Sequence, residues 1–140
     1  MSGIHEDTLI ALDLETTGVN AKSDHIIEVG AVKFQGGEQV DTLSLLVNPQ
    51  RKLSSFIVGL TGITQSDVDS APDWEDVKSE VADFIAGVPI IGHNVGFDAS
   101  FLRSHGVKPD GLYDTMSMAE IALPAGPEYS LGRLSQRFGF

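Results

Sequence analysis

The sequence predicts an α/β domain in which helices pack on a mixed five-stranded sheet. Three observations carry that expectation. Residues 8–14, 25–34 and 40–47 have strand composition and are joined by turn chemistry. A short, wholly apolar run, Val88–Ile91, follows an amphipathic helix, as expected of a strand buried on both faces and paired in parallel. Read in order, the elements run β-β-β-α-β-α-β-α-α with no internal repeat and no linker, so residues 1–140 are read as one domain.

The first strand covers residues 8–14, and the second runs from His25 to Phe34, rich in β-branched residues. Gln35-Gly36-Gly37-Glu38 is a hairpin turn in which glycine supplies positive φ. Val40–Val47 is the third strand, closed by Asn48-Pro49, and the three form an antiparallel meander. Residues 50–72 are irregular. Ser54 or Ser55 caps a short helix through Leu60, and Thr64 caps another turn through Val68. Asp73, with Asp76 three residues on, opens a helix in which Trp74, Val77, Val81, Phe84 and Ile85 share a face. Gly87 ends it. After Val88–Ile91 and the loop Gly92-His93-Asn94, a helix runs from Val95 to Ser104 and stops at His105-Gly106. Leu112–Asp114 is the last strand. Further helices are expected at Thr115–Leu123 and, capped by Ser130, at Leu131–Phe138; residues 1–7 are expected to be disordered.

Composition narrows the function class. No apolar run approaches the ~20 residues a membrane span needs, and the N-terminus lacks the basic-then-apolar order of a signal peptide. With no cysteine there is no disulfide and no thiolate zinc site, which suits a cytoplasmic location. The net charge of −11, with nine scattered Lys and Arg, argues against a protein that binds nucleic acid by charge alone. Two bound divalent cations would offset about four of those charges where it matters.

The chemistry concentrates in two places. In Leu9–Gly18, Asp13 and Glu15 interrupt an apolar strand two positions apart, so they share a face while Leu12 and Leu14 point into a core. Neighbouring carboxylates repel and resist desolvation, and a divalent cation is the natural compensation. In Ile90–Asp98 a buried strand ends in a polar loop that opens a helix with Asp98 in its first turn. The carboxyl ends of such strands are where α/β proteins bind ligands. A helix N-terminus favours a charged carboxylate, so Asp98 is expected to stay ionised. Glu28, in the second strand, either lies near the acidic pair or partners another neighbour. His5 and His25 are read as surface residues.

Together these segments resemble the DEDD (DnaQ-like) superfamily of 3′–5′ exonucleases. Asp13-Leu14-Glu15-Thr16-Thr17-Gly18 matches its first motif, and His93-Asn94-x-x-Phe97-Asp98 is similar to its second. Ile26–Val32, Leu60–Thr64 and Asp114-Thr115 look like the family's second strand, substrate-side turn and last-strand ending. The ordered set spans residue 8 to the final residue. Within the family, the chain looks most like the exonuclease domain of damage-inducible (DinG-type) helicases or the proofreading epsilon subunit of DNA polymerase III.

The resemblance implies a ribonuclease-H-like fold and two-metal hydrolysis of phosphodiesters from a single-stranded 3′ end, with Mg²⁺ or Mn²⁺ as the two ions. By the family pattern Asp13 bridges both ions, Glu15 binds the nucleophile-side ion and Asp98 supports the second. The backbone and hydroxyls around Thr16 and Thr17 would hold the terminal nucleotide, with His93 and Asn94 beside it. Leu60 and Phe97 would pack on the last bases. A helicase or polymerase region or subunit is the implied partner, and no membrane is involved.

One part of the pattern is absent. The family's third motif supplies a fourth Asp, preceded by a general-base His in the DEDDh branch or by a Tyr in the other, after a segment like Tyr129–Leu134. The sequence ends at Phe140 before it. The chain is therefore expected to lack the C-terminal helix, to bind metal weakly, to show little or no turnover and, with part of the sheet uncovered, to self-associate or be unstable. His105 and Asp110 repeat the His-to-Asp spacing but fall in the wrong place in the order, so that match is read as chance. The alternative reading is a non-catalytic module of the same fold that binds a nucleic-acid end or a protein.

Overall fold

The computed structural model describes residues 8–114. The expected helices at 115–123 and 131–138, the Ser130 cap, His5 and the expected disorder of residues 1–7 lie outside the described residues.

The strands are β1 (Thr8–Thr16), β2 (Ile26–Gln35), β3 (Glu38–Leu46), β4 (Ile90–Gly92) and β5 (Leu112–Asp114). The helices are α1 (Ser55–Thr61), α2 (Gln65–Asp69), α3 (Trp74–Ile85) and α4 (Val95–Ser104). The sheet order is β3-β2-β1-β4-β5. The first three strands pair antiparallel, and β4 joins β1 and β5 in parallel. This is the mixed five-stranded, ribonuclease-H-like fold that the sequence predicts.

Local chemistry explains most of the boundaries. Gly36 and Gly37, at φ 60° and 85°, make the two-residue turn between β2 and β3. That tight turn lets pairing begin at Glu38, two residues before the predicted start of β3. The fourth strand is shifted instead. The Val88 N–H bonds Ile85 O as the exit turn of α3, and Pro89 has no N–H to give. The ladder therefore starts at Ile90, whose N–H bonds Gly111 O at 2.8 Å.

The two faces of β1 have opposite fates. Ile10, Leu12 and Leu14 enter the main core with Val29 and Ala31, covered by Val77, Val81 and Ile85 of α3 and by Phe101 and Leu102 of α4. A register shift between Glu15 and Thr16 leaves Ile27 as an extra residue in β2. Ile26 joins the main core, while Ile27 anchors a second cluster with Leu53, Ile57, Ile63 and Val68 beneath α1 and α2. The bulge thus fixes α1 near the acidic end of β1. No helix of the described residues is long and apolar enough to cross a membrane.

α2 is only five residues long and depends on its cap. Thr64 Oγ1 accepts from Asp67 N–H at 3.1 Å, and Asp67 accepts in return from Thr64 N–H at 2.9 Å. Thr64→Ala is expected to cost about 1 kcal/mol in denaturant unfolding, with little change in m-value.

Candidate active site

β1 carries Asp13 and Glu15 on the face away from the main core. Asp13 stands opposite Gly30, which has no side chain to cover it, and is exposed. Glu15 stands opposite Glu28, directly across the strand pair. Directly opposed residues share a face. Glu28, left open by the sequence, therefore lies on the acidic side.

β4 ends at Gly92, and Asn94 turns the chain into α4 with a left-handed backbone, φ 58°. Asn94 is exposed, and its N–H is held by Asp114 Oδ1 at 3.0 Å. The backbone runs close against β1 here, so a Cβ on Gly92 would press on Leu12 O at 3.1 Å. It sets Asp98 on the buried side of α4, with 4% of its surface exposed.

The carboxylates act on each other. Burial, then Asp13, Glu15 and Asp114, push the Asp98 carboxyl up to about 8. This corrects the expectation of an ionised Asp98. The helix N-terminus is outweighed by desolvation and three neighbouring acids. Desolvation raises Glu15 as well, aided by Asp13 and Glu28. Asp13 is also raised by desolvation, in part opposed by His93. His93 Nδ1 is buried and has no hydrogen-bond partner among the described residues.

Among the described residues no three acidic or imidazole side chains are already gathered closely enough to hold a metal ion. The donor set still suits a hard divalent cation. It is all carboxylate, and each acid is held above its ordinary pKa, Asp98 and Glu15 partly by the negative charge of their neighbours. A cation held there would offset that repulsion.

Beside Glu15 opens a groove of about 370 Å³. One wall is Leu14–Val19, the other is Ser54, Phe56, Ile57, Leu60 and Thr61 of the α1 region, and Phe97 of α4 closes the end. Four residues predicted to meet substrate, Thr16, Thr17, Leu60 and Phe97, thus line one cavity with Glu15. His93 and Asn94 do not line it. The two threonines differ. Thr16 Oγ1 donates to Gly18 O at 2.7 Å. Thr17 is engaged at both polar groups: its N–H bonds His25 O, and its hydroxyl donates to Asp24 and accepts from His25 N–H.

Three large apolar residues stand out of this groove: Val19 is 85%, Phe56 72% and Leu60 68% exposed. The sequence reading found Leu60 but missed Val19 and Phe56. The signal for Phe56 was available, since it lies one helical turn from Leu60 on the same face. Asp114 was likewise read only as a strand ending.

Among the described residues the two other histidines, His25 and His105, have structural contacts. His25, expected at the surface, is half-buried and meets His105 edge-on at 6.0 Å, and burial lowers its pKa. His105 and Asp110 have separate partners, Phe101 O and Gly87 N–H, in keeping with a chance spacing.

Comparison with known proteins bears on this geometry. The family model for the exonucleases called RNase_T matches residues 10–140. A PolC-type DNA polymerase III of Caldanaerobacter subterraneus is 37% identical over 95% of this chain. That of Bacillus subtilis is 34% identical over 96%. The chain spans about 10% of the length of each. Among solved structures, exonuclease X in complex with 5′-overhanging duplex DNA superposes with a TM-score of 0.72 at 28% identity, covering 92% of this chain and 72% of that one. Product-bound exonuclease I gives 0.78 at 18% identity over 96% of this chain and 39% of its own, a likeness of fold.

Proposed function

The chain belongs to the RNase_T exonuclease family, and on that premise we propose that it hydrolyses phosphodiesters from the 3′ end of single-stranded nucleic acid, DNA in the first instance. The observation that carries this reading is the apolar-rimmed groove opening beside Glu15, with Asp13 and Asp98 electrostatically coupled to it.

Two Mg²⁺ or Mn²⁺ ions, held by Asp13, Glu15 and Asp98, would supply an activated water and neutralise charge at the scissile phosphate. The protein's own contribution is position. Leu60 and Phe97 offer apolar surface for the terminal bases, and stacking of this kind is tolerant of sequence. Val19 and Phe56 widen that surface. Thr16 and Gly18, in the Leu14–Val19 wall, would meet the terminal sugar. The groove is apolar rather than basic, which reconciles nucleic-acid binding with a net charge of −11. Exonuclease X, solved with DNA, supports a DNA substrate, and the PolC-type relatives support a polymerase neighbour.

Leu60→Ala is expected to weaken binding of single-stranded DNA about tenfold, as measured by fluorescence anisotropy, with stability unchanged because the residue is exposed. The reading itself is tested with 5′-labelled single-stranded DNA in Mn²⁺. It predicts a ladder, however weak, that shortens from the 3′ end and is lost in Asp13→Asn. Cleavage that begins at the 5′ end, or that survives Asp13→Asn, would contradict it.

A further inference from the structure

We propose that Asp24 is a positioning residue for the groove, holding the loop of residues 17–25 in the shape that presents the Thr16–Val19 wall to nucleic acid. The proposal rests on the reading of the groove as the nucleic-acid site.

The loop is closed at its base by Thr17 and His25, whose backbones pair through Thr17 N–H to His25 O at 2.8 Å. Asp24 is its hub. Its carboxylate accepts from Thr17 Oγ1 at 3.2 Å and from Asn20 N–H at 3.0 Å. It also faces Arg51 Nη1 at 3.5 Å, and the other arm of Arg51 donates to Ser23 O at 3.0 Å. Gly18 lies flush against it: a Cβ there would come within 2.4 Å of Asp24 Oδ2. A second tether, from Ser104 Oγ to Ala21 O, ties the loop to the end of the helix that carries Asp98.

Ordering such a loop costs conformational entropy. The loop buries little in return, since Ala21 alone packs on the core and Val19 is 85% exposed. Wiring without burial is the signature of pre-organisation, in which the cost of ordering is met before the ligand arrives. Asp24 is not among the groove's lining residues, so it acts through Thr17, Gly18 and Asn20 rather than by contact.

The test pairs two measurements on the full chain: anisotropy of a 5′-labelled single-stranded DNA in Ca²⁺, and amide hydrogen exchange. Asp24→Ala is expected to weaken binding about tenfold and to speed exchange at Asn20 and His25 while the sheet stays protected. Asp24→Asn, which keeps an acceptor and the shape, is expected to bind within about threefold of wild type. Arg51→Ala should fall between them, so the trend is read even where Asp24→Ala folds poorly. Binding that stays unchanged while the loop amides open overturns the proposal. So does an equal loss in Asp24→Asn and Asp24→Ala with the loop still protected, which would mean direct contact. A wild-type chain that binds no DNA overturns the groove reading, and this proposal with it.

Discussion

Asp13→Asn is expected to abolish whatever turnover the chain shows while leaving single-stranded DNA binding nearly intact. The asymmetry follows from the geometry. Asp13 sits on the acidic face of β1 and does not line the groove, so the apolar binding surface survives its loss. Its carboxylate is the shared centre of the charge cluster, since it raises both Glu15 and Asp98. Losing a metal ligand costs several kcal/mol of transition-state stabilisation, and each ~1.4 kcal/mol is tenfold in rate. Asn keeps the shape and one oxygen but no charge. Single-turnover rates together with anisotropy on the same protein separate the two effects. A parallel loss of rate and affinity would mean that Asp13 acts through folding instead.

The second large effect concerns pH. The Asp98 carboxyl, ordinarily near 3.8 in the unfolded chain, is pushed up to about 8 in the fold by burial and by its acidic neighbours. Between those values the folded protein keeps a proton that the unfolded chain has released. Stability is therefore greatest at the acid end of the window and falls as pH rises toward 8, by an amount of order several kcal/mol without metal. Raised Glu15 and Asp13 push in the same direction. Denaturant midpoints in chelator at pH 5 and pH 8 measure the fall. Asp98→Asn, a neutral mimic of the protonated acid, should flatten the profile and exceed wild type at pH 8. Added Mn²⁺ should restore wild type but not the variant.

Much of this was legible in the sequence, for identifiable reasons. Gly36-Gly37 fixes a hairpin, and alternation in residues 9–15 fixes which face of β1 is buried, so the acidic face follows. The bounds of α4 and β5 emerged as expected because polar loops and glycines flank them. The errors arose where a neighbour distant in sequence decides. The start of β4 depends on which carbonyls and amides Pro89 leaves for pairing. Asp98 looked like a favourable first-turn acid because a linear reading cannot see Asp13, Glu15 and Asp114 converge on it. His25 looked exposed because its ring partner, His105, is eighty residues away. Val19 and Phe56 were overlooked because nothing in the local sequence, taken alone, marks either as facing out of the fold.

Asp13, Glu15 and Asp98 are proposed to form one divalent-cation site beside the groove. Calorimetric Mn²⁺ titration near pH 7, repeated in buffers of different ionisation enthalpy, tests it most directly. Binding with net proton release is expected, because Asp98 must give up its proton to ligate. Both the binding and the proton release are expected to be lost or weakened at least about tenfold in Asp13→Asn and Asp98→Asn. Mn²⁺ that binds equally to wild type and to both variants, or that binds without releasing a proton, would contradict the proposal.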